Sequence, residues 1–267
     1  MTVMDLKDKV AIITGAASQT GLGYGVAERI CSKGAKVVLS DFLDEEGKAS
    51  ANALNAKFGE KTAIYVHCDV TKIADQQAMF DAARAEFGRV DIVLNNAGIA
   101  AHNLSDAIAE EGTTNWHQII DINLTAVIQG SVLAYKEFAK SGTKGVIINT
   151  ASQTGLQPYP NHPLYSSAKW GVVGFTAGCG GAWYDQTGVR VNAICPGYVR
   201  TPLLEKGYTE SEQMRFIVTA SGGFVERDVV VDAFERAITD ESLIGKSLSA
   251  NTVVGVQVFD YPPVVIA

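Results

Sequence analysis

A short apolar run followed at once by a glycine-rich turn constrains this chain more than any other feature. Residues 10–14 are mostly apolar and β-branched, which is typical of a strand buried in a parallel sheet. The turn carries Gly15, Gly21 and Gly23, and the helical pattern after it stops at Gly34. This order predicts a dinucleotide site, because the glycines let the backbone approach a pyrophosphate and the helix start offers N–H donors. A tight turn that binds no ligand is the alternative.

The alternation of strands and helices continues along all 267 residues. It predicts an α/β fold: a single-domain, doubly wound (Rossmann-type) parallel sheet of about seven strands with helices on both faces. Expected strands cover 10–14, 36–40, 62–68, 91–95, 146–150, 188–194 and 252–259, with helices near 44–58, 73–87, 114–140, 165–187 and 225–240. The whole of 1–267 is expected to be one NAD-binding domain, with a substrate lid near 203–224 and a C-terminal tail at 260–267.

Composition narrows the class of protein. A hydrophobic content of 47% with 19% charged residues is typical of a globular chain. A net charge of −7 argues against nucleic acid and anionic membranes as partners, and no apolar run approaches the ~20 residues of a membrane span. The charged N-terminus lacks the apolar stretch of a signal peptide. Four scattered cysteines, without a C-x-x-C pair, indicate reduced thiols rather than a metal site, so we expect a cytoplasmic protein without a metal.

Asp41 stands at the end of the second expected strand, twenty residues after Gly21. A carboxylate at this place can accept both ribose hydroxyls of an adenosine and repels a 2′-phosphate. No Arg or Lys in the glycine turn or at position 42 offsets that charge. The pattern therefore favours NAD over NADP, the alternative being a solvated acid that opens the next helix.

Other strand ends carry polar or small residues with two interpretations each. Asp69 can accept from an adenine amino group or cap the helix near 73–87. The stretch 95–98 suits close approach to a ribose and also a plain turn. Asn123 lies on an apolar helix face, so its amide must be satisfied. It either makes an internal hydrogen bond to a neighbouring strand or bridges solvent to Lys169.

Ser152, Tyr165 and Lys169 predict acid–base chemistry on a hydroxyl group. If Tyr165 opens a helix, Lys169 lies one turn away on the same face. At ~4 Å and an effective dielectric constant of ~20 the attraction is about 4 kcal/mol, or roughly three pKa units. The pKa of Tyr165 would then fall from about 10 to near 7, where it serves as a general base or acid. Ser152, after an apolar run, would orient a substrate oxygen toward it.

Taken in order, these motifs resemble the short-chain dehydrogenase/reductase family over nearly the whole chain. The matching pieces are Thr14-Gly15 to Gly21-x-Gly23, Asp41, Asp69-Val70, Asn95 to Gly98, Asn123, Ser152, Tyr165-x-x-x-Lys169 and Pro196-Gly197 with Thr201. Within the family the chain is most similar to the NAD-dependent 15-hydroxyprostaglandin dehydrogenase-like branch. The pieces behind this are Leu39 to Asp41, His67 to Val70, Asn192 to Val199 and Leu243 through Tyr261.

The resemblance implies an NAD-dependent oxidoreductase that interconverts a secondary alcohol and a ketone by hydride transfer. Tyr165 would be the general base in oxidation and the acid in reduction, while Ser152 holds the reacting oxygen. Lys169 would lower the pKa of the tyrosine and bind the nicotinamide ribose, and Asn123 would support a water relay. His162 stands where that branch has a glutamine that helps to bind the substrate hydroxyl, and Tyr198 would also contact substrate.

Coenzyme contacts are implied along the whole carboxyl edge of the sheet. They are Gly15, Ser18, Gly21, Leu22, Gly23, Asp41, Phe42, Cys68, Asp69, Val70, Asn96, Ala97, Gly98, Tyr165, Lys169, Pro196, Gly197, Val199 and Thr201. The chain departs from the family in having five rather than three residues between its first two glycines, through Gln19 and Thr20, and in a lid without a family pattern. The alternatives are a non-catalytic, nicotinamide-dinucleotide-sensing protein on the same fold and an epimerase or dehydratase.

Glycines and apolar side chains predict the partners. Helix 165–187 contains Gly171, Gly174, Gly178, Gly180 and Gly181, which is unusual inside a helix and favours close helix packing. A homodimer or homotetramer through helices 114–140 and 165–187 is therefore expected. A moderately hydrophobic alcohol or ketone is expected as substrate, on the side chains Tyr198, Leu203, Leu204, Met214 and Phe216.

Overall fold

The apolar runs form one eight-stranded sheet in the computed structural model, which describes residues 3–100, 116–157, 162–259 and 261. Within these ranges the strands are β1 Val10–Thr14, β2 Lys36–Asp41, β3 Ala63–His67, β4 Ile92–Asn95, β5 Val146–Thr150, β6 Arg190–Pro196, β7 Ser247–Asn251 and β8 Gly255–Phe259. The α-helices are α1 Leu22–Cys31, α2 Asp44–Phe58, α3 Ile73–Phe87, α4 Trp116–Ile120, α5 Ala126–Ser141, α6 Pro163–Thr187, α7 Pro202–Glu210, α8 Glu212–Ala220 and α9 Arg227–Thr239.

The strand order confirms the doubly wound sheet. It runs β3-β2-β1-β4-β5-β6-β7-β8, with every pair parallel except β7 and β8. The order reverses between β1 and β4, the place where doubly wound sheets bind ligands at the carboxyl ends of their strands.

The last hairpin differs from the prediction of one final strand over 252–259. β7 is a separate parallel strand whose sequence, Ser-Leu-Ser-Ala-Asn, lacks the β-branched residues that signal a strand. Asn251 accepts from the backbone N–H groups of Val253 and Val254, both at 2.9 Å, and so builds the turn into antiparallel β8. Two exposed valines in a turn resemble a strand in sequence, which explains the error.

Alternate strand residues pack on opposite faces of the sheet. Ile13 and Leu39 belong to a core cluster with residues of α1, α2 and α9, whereas Ile12 and Val38 belong to a second cluster with residues of α3 and α5. Each fully buried Ile or Leu contributes about 1.5–3 kcal/mol. These two cores fix the strands whose carboxyl ends carry the polar residues.

The helix expected over 114–140 is interrupted. Between α4 and α5 the residues Asp121–Thr125 form a π turn, in which the N–H of Ala126 donates to the carbonyl of Asp121, five residues back. Asn123 lies at the centre of this turn and is fully buried. None of the helices in the described part of the chain combines the length and apolarity needed to cross a bilayer.

The expected lid region folds as two short helices, α7 and α8. The hydroxyl of Ser211 accepts from the N–H of Met214 at 3.2 Å and so starts α8. Tyr261 is the described residue of the tail, and the other residues of 260–267 lie outside the described ranges.

Candidate active site

The glycine turn after β1 packs closely against the turn after β4. Gly15 has φ +65°, and a Cβ on it would lie 2.7 Å from the Cα of Ala97. A Cβ on Gly23 would lie 2.7 Å from the carbonyl oxygen of Gly15. Because neither position has room for a side chain, the backbone itself forms the surface at the start of α1.

The two additional residues form the tip of a β-turn. The carbonyl of Ser18 accepts from the N–H of Gly21 at 2.9 Å, which puts Gln19 and Thr20 at the central positions. Gly21 remains the N-cap of α1 despite the longer loop. The first N–H groups of α1, including that of Leu22, therefore still lie at the end of the glycine turn. Free N–H groups at a helix start suit an anion.

Hydrogen bonds of the Asn96 and Thr14 side chains join the glycine turn after β1 to the turn after β4. The Asn96 amide nitrogen donates to the carbonyls of Thr14 at 2.9 Å and Gly15 at 3.1 Å. The Thr14 hydroxyl accepts from the N–H groups of Asn96 and Ala97, both at 3.0 Å. The side chain of Asn96 thus holds the glycine turn in place. The sequence analysis named Thr14 only as part of the motif with Gly15, although its position directly before that glycine indicated a contact with the turn.

Asp41 is fixed beside the glycine turn. One carboxylate oxygen accepts from the N–H of Ala17 at 3.0 Å, and the other from Phe42 at 2.9 Å and Leu43 at 3.3 Å. Buried Ser50 donates to the carbonyl of Ala17 at 2.6 Å, so the same loop residue is held from two elements. The carboxylate is half-buried at the end of β2, and exposed Phe42 follows it.

The end of β3 resolves the two interpretations of Asp69 in part. Helix α3 has Lys72 as its N-cap, so Asp69 does not cap it. Asp69 accepts instead from the N–H of Thr71 at 3.0 Å and its hydroxyl at 2.7 Å, and pairs with Lys72 at 3.3 Å. The Thr71 hydrogen bonds come first among the contacts that hold the pKa of Asp69 below its usual range. Cys68 points into the core, where burial raises its pKa to about 12, while Val70 is half-buried.

Ser152, Tyr165 and Lys169 come together between the end of β5 and the first turns of α6. Ser152 caps a short 3₁₀ turn, and its side chain is hydrogen-bonded to Tyr165. Pro163 begins α6, so Tyr165 and Lys169 lie one turn apart, as expected. The Lys169 ammonium donates to the backbone carbonyl of Thr150 at 2.8 Å and lies 5.6 Å from the centre of the Tyr165 ring.

The charges of this cluster differ from the expectation. Burial raises the pKa of Tyr165 to about 12, an effect that the Ser152 hydrogen bond partly offsets. Burial also lowers the pKa of Lys169 to about 8. The expected pKa near 7 for Tyr165 is therefore not reached, because Lys169 is directed at the carbonyl of Thr150 and desolvation dominates at the tyrosine.

Asn123 is satisfied by the loop after β4. Its amide nitrogen donates to the carbonyl of Ile99 at 3.0 Å, and its oxygen accepts from the N–H of Ile99 at 3.2 Å. Of the two interpretations, this is the internal hydrogen bond, although to a loop rather than a strand. Gly98 lies between Asn123 and Lys169, since a Cβ there would be 2.8 Å from the Asn123 oxygen and 3.7 Å from the Lys169 nitrogen.

The segment after β6 borders the same edge. Gly197 follows buried Pro196 and donates its N–H to the carbonyl of Ala250 at 2.8 Å, and Val199 pairs with Val225 as an isolated bridge. Tyr198 is half-buried, and Thr201 precedes α7 as its N-cap. His162 is the N-cap of α6, where burial lowers its pKa.

Arg200 ties together the two ends of the lid region. Its guanidinium lies 4.4 Å from the ring centre of Phe224 and 5.5 Å from that of Tyr208, and pairs with Glu205 at 3.4 Å. The two rings meet edge to face at 4.8 Å. This contact was not foreseen, because Arg200 and Phe224 are far apart in sequence.

Comparison with known proteins agrees with this architecture. Residues 9–212 match the family model described as short chain dehydrogenase. The human 15-hydroxyprostaglandin dehydrogenase [NAD(+)] is 35% identical over 272 residues, which cover 97% of this chain and 96% of that protein. Trans-4-hydroxycyclohexanecarboxylate dehydrogenase of Sinomonas cyclohexanicum is 37% identical over 209 residues, or 75% and 77% of the two chains. The crystal structure of levodione reductase superposes with a TM-score of 0.82 at 29% identity, covering 92% of this chain and 96% of that one. The chain belongs to the short-chain dehydrogenase family.

Proposed function

We propose that the protein is an NAD-dependent oxidoreductase that interconverts a secondary alcohol and a ketone. The observation that carries this proposal is the hydrogen-bonded cluster of Ser152 and Tyr165 with Lys169 close by, at the sheet edge that also carries the glycine turn. The names of two similar proteins support the reaction class, since both are dehydrogenases named for a hydroxyl compound.

The residues present fit a dinucleotide. A backbone surface without room for a Cβ at Gly15 and Gly23, at the start of α1, suits a pyrophosphate. The fixed carboxylate of Asp41 suits two ribose hydroxyls and disfavours a 2′-phosphate, which supports NAD over NADP. When bound, NAD supplies the hydride acceptor and, in its oxidised form, a positive charge.

The chain's own residues would supply position and proton transfer. In oxidation Tyr165 removes the proton from the substrate hydroxyl, while Ser152 donates a hydrogen bond to the same oxygen. Because burial raises the pKa of Tyr165, its phenolate depends on positive charge nearby, which Lys169 provides in part. Asn123, anchored on Ile99, would hold the relay that returns the proton to solvent. In reduction the same groups act in reverse.

The substrate would be a moderately hydrophobic alcohol bound under α7 and α8. Leu203 is 46% exposed and Phe216 is 72% exposed on these helices, so apolar surface is available to a ligand or a closing lid. His162, the N-cap of α6, and half-buried Tyr198, after β6, would contact substrate. Two similar proteins are named for a hydroxyprostaglandin and for trans-4-hydroxycyclohexanecarboxylate, so secondary alcohols on a largely apolar carbon skeleton are the first class to test.

The deciding experiment measures NADH formation from cyclic, aliphatic, aromatic and steroid alcohols by the wild type and by Tyr165→Phe. Tyr135→Phe is the matched control, because the Tyr135 hydroxyl bonds Gln186 on the outer side of α6. We expect turnover to vanish in Tyr165→Phe while NADH affinity stays within about threefold, and Tyr135→Phe to remain active.

Loss of NADH binding in Tyr165→Phe would contradict the catalytic role. NADH binding without turnover on any alcohol would favour the dinucleotide-sensing alternative, and conversion without net NADH change would favour an epimerase or dehydratase.

We further propose a cytoplasmic homo-oligomer built on α4, α5 and α6. Gly174, Gly178 and Gly181 leave space in which a Cβ would meet no described atom within 4 Å, and Trp170 and Tyr184 on the same helix are partly exposed. All four cysteines are free, which suits a reducing compartment. Gly178→Leu should shift the mass measured by light scattering toward the monomer, whereas Ala49→Leu on exposed α2 should not. An unchanged mass for Gly178→Leu would contradict this interface.

A further inference from the structure

Arg227, the first residue of α9, reaches the lengthened glycine turn from outside the strands that carry the site. Its Nη1 donates to the backbone carbonyl of Gln19 at 2.8 Å. Gln19 is one of the two residues at the tip of the β-turn between Ser18 and Gly21. The part of the turn that departs from the family spacing is therefore the part that the arginine holds.

The arginine also lies along the first turns of α1. A Cβ on Gly25 would lie 3.4 Å from the Arg227 Nε and 3.1 Å from a methyl group of Val231, so the absence of a side chain at Gly25 leaves room for the guanidinium. The guanidinium thus crosses the start of α1 to reach Gln19. This places a positive charge beside the helix end that suits a pyrophosphate.

The charge of Arg227 is less compensated than those of its neighbours. Arg29 pairs with Asp232 at 2.6 Å and Glu235 at 2.8 Å, and Lys57 pairs with Glu28 at 3.0 Å. Among the residues that the structure describes, no carboxylate lies within 4 Å of the Arg227 nitrogens. Its hydrogen bond goes to a neutral carbonyl, which fits a role in holding the turn rather than in a surface ion pair.

Arg227 follows directly on the segment that closes the lid region. Val225, two residues earlier, donates its N–H to the carbonyl of Tyr198 at 2.7 Å and pairs with Val199. Residues 225–227 therefore contact the loop after β6 at one end and the glycine turn at the other. The chain is thus held two residues before the arginine as well as at the guanidinium.

We propose that Arg227 is a positioning residue that pre-organises the lengthened turn and thereby sets the affinity for the dinucleotide. The inference rests on the proposed function, in which this turn receives the pyrophosphate. Two additional residues give the turn more conformations, which binding must remove, and an anchor made before binding removes them in advance. The predicted effect lies on binding and not on the chemical step.

The test compares Arg227→Ala and Arg227→Lys with the wild type in both the natural turn and a turn from which Gln19 and Thr20 are deleted. The dissociation constant of NADH is measured by fluorescence titration and that of ADP-ribose by calorimetry. Arg236→Ala is the matched control, because Arg236 lies on the same helix and pairs with Asp240 at 3.8 Å. Apo-protein melting temperatures are recorded for every variant.

In the natural turn, Arg227→Ala should raise both dissociation constants by about five- to tenfold, the size of one net hydrogen bond. Turnover at saturating NAD should stay within about twofold, Arg227→Lys should recover part of the affinity, and Arg236→Ala should bind as the wild type does. In the shortened turn Arg227→Ala should change the constants less than about twofold, because the contact it removes is gone.

Unchanged dissociation constants in Arg227→Ala, with tight binding by the wild type, would overturn the role of Arg227 and leave the proposed function standing. An equal loss in both turns would also overturn it, because the arginine would then act without Gln19. A wild-type protein that binds neither NADH nor ADP-ribose would overturn the proposed coenzyme and, with it, this inference.

Discussion

Lys169 holds its ammonium 2.8 Å from the backbone carbonyl oxygen of Thr150, inside the protein and nearly without solvent. Burial lowers the pKa of Lys169 from 10.5 to about 8. A single carbonyl acceptor therefore compensates only part of the desolvation of this charge.

The first prediction concerns stability and pH. Below about pH 8 Lys169 is protonated in both the folded and the unfolded protein, so the cost of burying its charge lowers the free energy of unfolding in full. Between about 8 and 10.5 the unfolded chain binds more protons than the fold, so this group makes stability rise with pH. Lys169→Met should thus raise the free energy of unfolding at pH 7 by about 2 kcal/mol, less than the roughly 3 kcal/mol of the full shift because the bond to Thr150 is lost.

Urea unfolding at several pH values checks this. The gain should shrink as the pH rises from 8 to 10.5, and Lys57→Met on the surface should show no comparable trend. A constant effect of Lys169→Met across that window would contradict the lowered pKa.

The second prediction concerns the pH dependence of activity. Since burial raises the pKa of Tyr165, the phenolate fraction grows with pH through the neutral range, and kcat/KM for alcohol oxidation should rise with it, up to about tenfold per pH unit. Ketone reduction uses the phenol and should stay level. Because the Ser152 hydrogen bond lowers the pKa of Tyr165, Ser152→Ala should move the oxidation profile to higher pH as well as slow it. Oxidation rates that do not vary with pH would contradict Tyr165 as the base.

The third prediction concerns coenzyme choice at Asp41. Asp41→Asn removes the negative charge and keeps an acceptor for the N–H of Ala17, so the loop should hold its shape. The ratio of kcat/KM for NAD over NADP should fall about 10- to 100-fold, equivalent to about 1.4–2.8 kcal/mol of lost discrimination. Asp44→Asn, three residues on and paired with His67, is the control and should leave the ratio unchanged. Equal ratios in the wild type and Asp41→Asn would remove Asp41 as the determinant.

The fourth prediction concerns Gly98. A methyl group there would press on the Asn123 amide oxygen from 2.8 Å and disturb its two bonds to Ile99. Gly98→Ala should cost about 1–3 kcal/mol of stability, as overpacking does, and lower kcat. In Gly98→Ala with Asn123→Ala the clash is absent, so the double variant should be more stable than the sum of the single effects. Strict additivity in urea unfolding would show that the two residues do not interact.

The fifth prediction concerns buried Arg190. Its guanidinium donates to the carbonyls of Ala237 and Asp240, both at 3.1 Å, and to that of Ile238, so it satisfies the C-terminal end of α9. Arg190→Met should cost about 3 kcal/mol because these carbonyls lose a charged donor inside the protein. Arg236→Met, on the exposed side of α9, should cost less than about 0.5 kcal/mol. Comparable unfolding midpoints for the two variants would contradict this role.

The polar residues at strand ends were predictable because parallel strands bring their carboxyl ends to one edge. Asp41 and Ser152 needed only a correct strand assignment, and the pairing of Tyr165 with Lys169 needed only the helical repeat. The pKa of Tyr165 could not be derived in this way, because it depends on burial and on the direction of the Lys169 side chain. The spacing of residues along the sequence determines neither the burial of Tyr165 nor the direction of the Lys169 side chain.

Contacts between segments that are distant along the chain also could not be predicted from the sequence. The hydrogen bond from Arg227 to Gln19 spans more than two hundred residues, and the Thr14–Asn96 hydrogen bonds join two separate turns. β7 was missed for a local reason, since its serines and asparagine resemble a loop and its burial comes from β6 and β8. Tertiary packing overrides local propensity at such positions.

The π turn between α4 and α5 gives this part of the fold a fixed residue count. One turn with five-residue spacing puts α4 out of phase with α5 by about one residue, or ~100° of rotation. Deleting a single residue here would let a regular α-helix close, and it would turn either α4 or Asn123 away from its present contacts. An insertion or deletion within Asp121–Thr125 would shift Asn123 relative to Gly98 and Lys169, so contacts fix the length of this segment, whereas a surface loop has no such constraint.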